Sequence, residues 1–254
     1  MKLHRWTLAV VLAVAAPAWA QDQAAADEAE KKVQVSGVKN PALRPYRIMT
    51  RGLDAFDEHH ALAPAAKLRF ELWNADGSIP NGNGLALRLA GDKVDLALAV
   101  DAQATFELPR SADAFDDNAD MVLNRKKERM GWRPRVRSPG VPDNARRMGD
   151  MRLECEVAWA VMKDQLSFVK RSTLAVAGGM CRAPMTVLHY RAPRPLASVA
   201  LVSGERSSAL KLDGARGTFI VPLRDTSWND DSLIVYTFAD AAPAAPTEQG
   251  AAAP

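Results

Sequence analysis

The residues best able to do chemistry in this sequence are the cations of one short passage, residues 125–147. The passage RKKERMGWRPRVRSPGVPDNARR holds nine arginine or lysine residues against Glu128 and Asp143, a local net charge of +7. Arginine forks make bidentate contacts to phosphate or carboxylate, and the ring of Trp132 could stack on a ligand ring. The passage therefore predicts a site for an anionic partner. Its candidate residues are Arg125, Lys126, Lys127, Arg129, Trp132, Arg133, Arg135, Arg137, Arg146 and Arg147.

A structural role is the alternative for these cations. A solvated loop whose arginines pair with acids of their own domain, such as those of residues 113–120, would have the same composition. Three prolines and two glycines favour an extended or looped course. The sequence leaves both interpretations open.

A second candidate chemistry lies in the acidic turn DAFDDNAD, residues 113–120. Carboxylate and amide oxygens are the ligands that Ca²⁺ prefers, although the spacing here does not fit the EF-hand loop. A similar turn at Asn229–Asp231 keeps only part of the set, which a shared structural turn also explains. The candidate metal ligands are Asp113, Asp116, Asp117 and Asp120, with Asn118 among them.

A histidine pair is a weaker metal candidate. His59 and His60 end a predicted helix, next to Asp57 and Glu58. Adjacent helix residues point about 100° apart, so they seldom bind one ion together. Histidines near a helix C-terminus also have a plain electrostatic explanation.

Motifs of common enzyme classes are missing from the sequence. It contains no GxSxG elbow, HExxH helix, Walker loop or helix-opening GxGxxG. We therefore predict a non-enzymatic interaction or accessory protein without a cofactor. Two alternatives stay open: a metal-dependent or hydrolytic enzyme with an unrecognised site, and a structural module that assembles through exposed strand edges.

The two cysteines, Cys155 and Cys181, predict one structural disulfide. An oxidising compartment favours pairing of two cysteines this close in sequence, and a redox CxxC spacing is absent. The bond would tie the second helix to the strand region after Gly178-Gly179.

The N-terminus predicts export. Lys2 and Arg5 precede an apolar run, Thr7–Ala16, and Ala18-Trp19-Ala20 is a small-x-small cleavage site. We expect cleavage after Ala20 and a periplasmic or secreted protein without a transmembrane segment. The mature chain would carry a net charge near +1, which argues against nucleic acid as a partner. The expected partner is an anionic envelope component, namely lipopolysaccharide, a lipid headgroup or an acidic protein.

Periodicity predicts the elements that position these residues. Apolar residues at helical spacing indicate a helix from Asn40 to about His60 and a second, buried helix over Asp150–Arg171. Alternation indicates strands at Lys67–Trp73, Leu85–Leu89, Val94–Val100, Thr186–Tyr190, Val199–Ser203, Ala209–Leu212, Thr218–Val221 and Leu233–Phe238.

Two segments resemble each other, Asp101–Val122 and Asp213–Val235, when the chain is aligned on itself with Thr105 placed on Thr218. The same offset carries the helix stripe Tyr46, Met49, Leu53, Phe56 onto Trp159, Met162, Leu166, Val169. An internal repeat explains the shared phase, and two hairpins that arose independently are the alternative. The identical pairs are Thr105 and Thr218, Phe106 and Phe219, Pro109 and Pro222, Asp117 and Asp230, and Val122 and Val235.

The segments VDAQATFELP and LDGARGTFIVP resemble the Asp-turn and Phe-strand segment of carboxypeptidase regulatory-like (transthyretin-like) β-sandwich domains. The likeness covers about ten residues in each copy. It implies a structural hairpin in a non-catalytic accessory unit with a binding or scaffolding role.

We therefore predict an α+β fold of two related modules, each a helix followed by an antiparallel meander or sandwich-like sheet, with internal duplication as one explanation. The predicted divisions are a signal peptide (1–20), a mobile leader (21–39), a first module (40–124), a basic Pro/Arg-rich connector (125–149), a second module (150–240) and a disordered Ala/Pro tail (241–254).

Overall fold

The computed structural model of the protein describes residues 38–213 and 218–241, apart from the side chains of Glu128 and Ala241. The predicted signal peptide, residues 21–37 of the predicted leader and residues 242–254 of the predicted tail lie outside the described residues. Within them, the fold combines helix with several antiparallel sheets, at 26% helix and 34% strand. The prediction of mixed helix and antiparallel sheet is therefore confirmed.

The helices are α1 (Tyr46–Glu58), α2 (Ala112–Asp116), α3 (Met148–Met162) and α4 (Phe168–Val176). Short 3₁₀ turns lie at His60–Leu62, Lys127–Arg129, Lys163–Gln165 and Ala239–Ala241. The strands are β1 (Pro41–Pro45), β2 (Lys67–Asn74), β3 (Leu87–Ala90), β4 (Asp95–Leu98), β5 (Thr105–Phe106), β6 (Asp120–Lys126), β7 (Met130–Arg137), β8 (Ala145–Arg147), β9 (His189–Arg191), β10 (Leu196–Ser203), β11 (Arg206–Ala209), β12 (Leu212–Asp213), β13 (Thr218–Ile220) and β14 (Leu233–Phe238).

The described strands form four antiparallel sheets. In the first half of the chain the orders are β1-β6-β3-β4 and β5-β2-β7, and in the second half they are β11-β10-β14-β8 and β12-β13-β9. Read from the strand that precedes each long helix, the four-stranded sheets have the same order, because β8, β14, β10 and β11 take the places of β1, β6, β3 and β4.

The first helix begins at Tyr46, later than the sequence predicts. The helix does not begin at Asn40 as predicted, because Pro41–Pro45 forms β1 and pairs with β6. Proline suits an edge strand, where a missing N–H donor is tolerated. The predicted apolar stripe is present, with Tyr46 and Met49 buried in the core.

The second long helix is shorter than predicted. The periodicity over Asp150–Arg171 spans three elements: α3 ends at Met162, a 3₁₀ turn follows, and α4 begins at Phe168. Leu166 has an extended backbone, which breaks the helical path. Residues 166 and 169 therefore do not extend the face of α3.

Helix α3 is buried on both sides, as its all-round apolar sequence predicts. Leu153, Val157 and Val161 pack into a core with α1 and the sheets of the first half. On the other side, Met148, Met151 and Cys155 pack into a second core with the later strands. Two cores therefore share one helix.

Helix α1 approaches α3 closely at Gly52. A Cβ at that position would lie 2.8 Å from Val161 Cγ2 and 3.2 Å from Val157 Cγ1. The missing side chain allows the contact between the helices. The predicted disulfide is confirmed, because Cys155 and Cys181 are bonded with their Cα atoms 5.9 Å apart.

Candidate anion-binding surface

The basic passage is mostly sheet in the structure. Arg125 and Lys126 end β6, Lys127–Arg129 is a 3₁₀ turn, and the next residues form β7 and, after a turn, β8. Strand β7 pairs with β2 of the first half, and β8 pairs with β14 of the second half. The passage that the sequence predicts as a connector thus contributes a strand to each half.

Two arginines of β7 bind one buried carboxylate. Glu71 lies opposite Arg133 in the β2–β7 ladder, and only 4% of its side chain is exposed. Arg133 Nε donates to Glu71 Oε2 at 2.5 Å, and Arg135 Nη1 donates to the other carboxylate oxygen. A carboxylate removed from water needs such partners. Both guanidinium groups therefore serve to neutralise Glu71 within the fold.

Arg137 fastens the turn between β7 and β8. Its guanidinium donates to the carbonyls of Val141 and Pro142 at 2.8 Å, and to that of Ala145 at 3.3 Å. Burial, followed by the positive charges of Arg146 and Arg135, lowers its pKa. The side chain supports the local backbone.

Arg146 forms a largely buried pair with Glu154 of α3. Its Nη2 lies 3.1 Å from Glu154 Oε2 and donates to the Val136 carbonyl at 3.1 Å. Burial alone would lower the pKa of Arg146, but the charges of Glu154, Tyr236 and Asp150 and the hydrogen bond to Glu154 together outweigh it and raise the pKa. Glu154 also accepts from the Val136 N–H, so the pair closes the free edge of β7.

Arg147 joins the two halves. It donates to the Leu62 carbonyl at 2.7 Å and pairs with Asp231 at 2.8 Å. Trp132 is also structural, because it is half-buried against the first core with its ring edge-on to Phe106, the centroids 5.8 Å apart.

The remaining four candidate cations differ from these. Arg125 donates only to the carbonyls of Asn124 and Gly84. Lys126, Lys127 and Arg129 are exposed, and none of the four makes an ion pair with a side chain that the structure describes.

Lys39 lies near these four cations, because the two residues that follow it, Asn40 and Pro41, contact β6 and the turn after it. Lys126 is the strand partner of Pro41, and the Lys127 N–H donates to the Asn40 carbonyl at 3.2 Å. We call this group the β6–β7 corner and define it as Lys39, Arg125, Lys126, Lys127 and Arg129.

The acidic turn is a structural feature. Asp117 Oδ2 accepts from the N–H groups of Lys93 and Val94 at 2.8 and 2.9 Å, which lowers its pKa and ties the turn to the β3–β4 hairpin. Ser111 caps the short helix α2 by accepting from the Ala114 N–H. Asn118 follows with a left-handed backbone.

The structure does not gather the predicted metal ligands. Asp113 and Asp116 lie on α2, and Asp120 begins β6. In the part of the chain that the structure describes, no three His, Cys, Asp or Glu side chains are placed to hold an ion. His60 packs on Phe56, with ring centroids 4.8 Å apart.

A shallow groove of about 690 Å³ lies along β14. Arg194 covers one end, with its guanidinium 3.9 Å above the Phe238 ring and paired with Asp240 at 2.8 Å. Burial raises the pKa of Tyr236, which lines the groove, to about 12. Because Arg194 is already paired, the β6–β7 corner is the better candidate for binding an anion.

The acids that neutralise the basic passage could not be read from sequence. Glu71 lies 62 residues from Arg133 and Asp231 lies 84 residues from Arg147, while Glu154, eight residues from Arg146, reaches it from helix α3. The one available signal was the alternation in GWRPRVR, which places Trp132, Pro134 and Val136 on the core face of β7 and the arginines on the other.

Among the described residues, none of the helices has the length and apolar composition of a membrane span. Comparison of the chain with protein-family models, with curated proteins and with solved structures finds no match.

Proposed function

We propose that the protein is an exported, non-enzymatic interaction protein of the bacterial envelope that binds an anionic partner through the β6–β7 corner. One observation carries the proposal: the four corner cations of the basic passage have no acid partner among the described side chains, whereas its other five cations are engaged within the fold. Unpaired surface cations side by side create a local positive potential.

Phosphate is the chemistry that best fits this corner. Lysine and arginine bind phosphate through charge-assisted hydrogen bonds, and the corner holds neighbouring cations on β6 and the following turn. The proposed partner therefore presents several phosphates on one surface, as lipopolysaccharide does. An acidic protein is the competing outcome.

The test is binding of the chain from Gln21 onward to lipopolysaccharide across a salt series. The variant K126E/K127E/R129E should bind at least about 10-fold more weakly, with a shallower salt dependence, since each cation near an anionic surface contributes roughly 1 kcal/mol. The control K67E/K93E/K211E reverses three exposed lysines elsewhere and, through its lower net charge alone, should weaken binding by a clearly smaller factor.

Equal affinity of the corner variant and the wild type would contradict the proposal. Weakened binding of both variants to the same degree would indicate attraction to net charge instead of a site. Binding only to acidic protein, and not to lipopolysaccharide, would replace the proposed partner. Export rests on the N-terminal pattern, and the mass of the periplasmic protein tests cleavage after Ala20.

We also infer that the chain contains two copies of one structural unit. The shared strand order supports this, as does the start of each long helix, where the Tyr46 N–H donates to Ala119 O and the Met148 N–H donates to Ser232 O. Ala119 falls on Ser232 at the same offset that places Thr105 on Thr218.

The central aromatic pairs agree with the same inference. Phe106 pairs with Phe70 and bridges to Val100, and Phe219 pairs with Tyr190 and Leu212.

Under this inference the residues of the two long helices correspond differently from the sequence alignment. By its place at the start of the helix, Tyr46 corresponds to Met148 and not to Trp159. Met148 and Trp159 lie about three helical turns apart, so both pairings select the same face of the helix.

A further inference from the structure

Helix α4 presents its apolar side outward. It has no buried residue, and Phe168, Val169 and Val176 are 73%, 72% and 92% exposed. At about 100° per residue these three side chains share one face, while the half-buried Leu174 points away from them. A surface helix of a soluble protein normally has the opposite orientation.

The chain on either side of α4 also exposes large apolar side chains. Met162 precedes it, and Met185 and Val187 follow it, all of them exposed large side chains. We call residues 163–188 the α4 arm; it connects α3 to β9. Several large apolar side chains exposed on one short stretch of chain mark an interaction site.

The arm is fastened to the core. Cys181 is bonded to Cys155 of α3, and Arg182 pairs with Glu156 of α3 at 3.4 Å. Gly179 has a left-handed backbone, and a Cβ there would lie 3.2 Å from the indole nitrogen of Trp159. The segment that follows α4 is thus bonded to α3.

The fold does not require the arm. In the first half, the short segment 59–66 connects the end of α1 at Glu58 to the start of β2 at Lys67. In the second half, the much longer segment 163–188 connects the end of α3 at Met162 to the start of β9 at His189. The same connection is therefore made without an apolar helix in one half and with one in the other.

The charges of the arm identify the kind of surface that it fits. Residues 163–188 carry four cations and one acid, a net charge of +3. Asp164 is the acid and pairs with Arg171 at 3.1 Å and with Arg51 of α1. Since Arg182 pairs with Glu156, Lys163 and Lys170 are the two cations of the arm without an acid partner among the described side chains. The cations are Lys163, Lys170, Arg171 and Arg182.

We propose that the α4 arm binds the surface of an anionic lipid bilayer, with Phe168, Val169 and Val176 entering the boundary between headgroups and acyl chains. A short helix with an outward apolar ridge and flanking lysines matches interfacial binding. A second copy fits less well, because a two-fold contact would place two cationic patches against each other. The proposal does not depend on the β6–β7 corner.

The experiment is co-sedimentation of the chain from Gln21 onward with vesicles of phosphatidylglycerol and phosphatidylcholine, and with vesicles of phosphatidylcholine alone. The wild type should bind the anionic vesicles, and F168S/V169S/V176S should bind them at least about 10-fold more weakly, since three apolar side chains no longer enter the bilayer. The control I79S/L96S removes two exposed apolar side chains elsewhere and should bind as the wild type does.

A second variant tests the charge requirement. K163E/K170E should weaken binding to anionic vesicles while leaving the apolar face intact. Circular dichroism of every variant confirms folding, which is expected because none of the changed residues is buried. Serine and wild-type proteins that sediment equally would overturn the proposal. A wild-type dimer that the serine variant loses, without vesicle binding, would overturn it in favour of self-association.

The two proposals fail separately. The serine variant should still bind lipopolysaccharide whose acyl chains have been removed, because only its phosphates are left to contact the corner. K126E/K127E/R129E should still bind vesicles, though its lower charge should weaken that binding by a smaller factor. Loss of vesicle binding in the corner variant, together with full binding by the serine variant, would assign membrane contact to the corner and overturn the role of the arm.

Discussion

The two halves of the molecule begin alike and diverge after their first helix. Each has a short edge strand that leads directly into a long helix. The first N–H of that helix donates to the carbonyl of the residue just before β6 in the first half and just before β14 in the second. Helix α1 is buried along one side, whereas α3 is buried on two sides and belongs to both cores. Helix α3 therefore holds the two halves together.

The halves also differ in the segments that each has beyond the shared elements. The first half continues past β6 into the β6–β7 corner, whereas β14 ends at Phe238 and leads into the 3₁₀ turn Ala239–Ala241, where the described residues end. The second half adds the α4 arm, in place of the short connection that the first half uses. Both surfaces proposed for binding thus lie where the halves differ, and the shared elements form the cores.

The largest expected effect comes from disturbing the shared helix. Leu153→Ala removes a fully buried side chain of α3 and should lower the free energy of unfolding by roughly 2–5 kcal/mol. Because α3 lies in both cores, chemical denaturation followed by fluorescence and by circular dichroism should give one coincident, shifted transition. A shift confined to one probe would show that the halves unfold independently.

A slightly smaller effect is expected from the bond that fastens the arm. C155S/C181S opens a loop that spans a sequence separation of 26 and should lower the free energy of unfolding by about 3 kcal/mol. The first half, without an equivalent bond, should lose amide protection only through its contact with α3. Hydrogen exchange measures both effects, and unchanged protection of residues 163–188 would contradict the fastening role.

The sequence predicted the elements whose signals are local. Alternation located β2 and β14, the cysteine pair located the disulfide, and an all-round apolar sequence predicted the burial of α3. Strand β1 was missed, since PALRP has no alternation and forms through pairing with β6, a strand far along the chain.

The end of α3 was missed for a related reason. Leu166 and Val169 continue the helical spacing by coincidence, although the chain turns outward before them. The role of the arginines was undecided because Glu71, Glu154 and Asp231 reach them only through tertiary contacts. Charge composition alone does not separate a paired cation from an unpaired one.

We propose that the basic passage divides into cations that hold the fold and cations that bind a partner. Two variants with the same change in charge, R133Q/R135Q and K126Q/K127Q, separate these two groups. For each, the free energy of unfolding and the affinity for lipopolysaccharide are measured at one salt concentration.

R133Q/R135Q should lose roughly 2 kcal/mol of stability, because Glu71 stays buried without a charged partner, and should keep most of its affinity. K126Q/K127Q should change stability by less than about 0.5 kcal/mol and lose affinity severalfold. The opposite pattern would contradict this division of the cations. In that case R133Q/R135Q would keep its stability and lose binding, whereas K126Q/K127Q would bind normally.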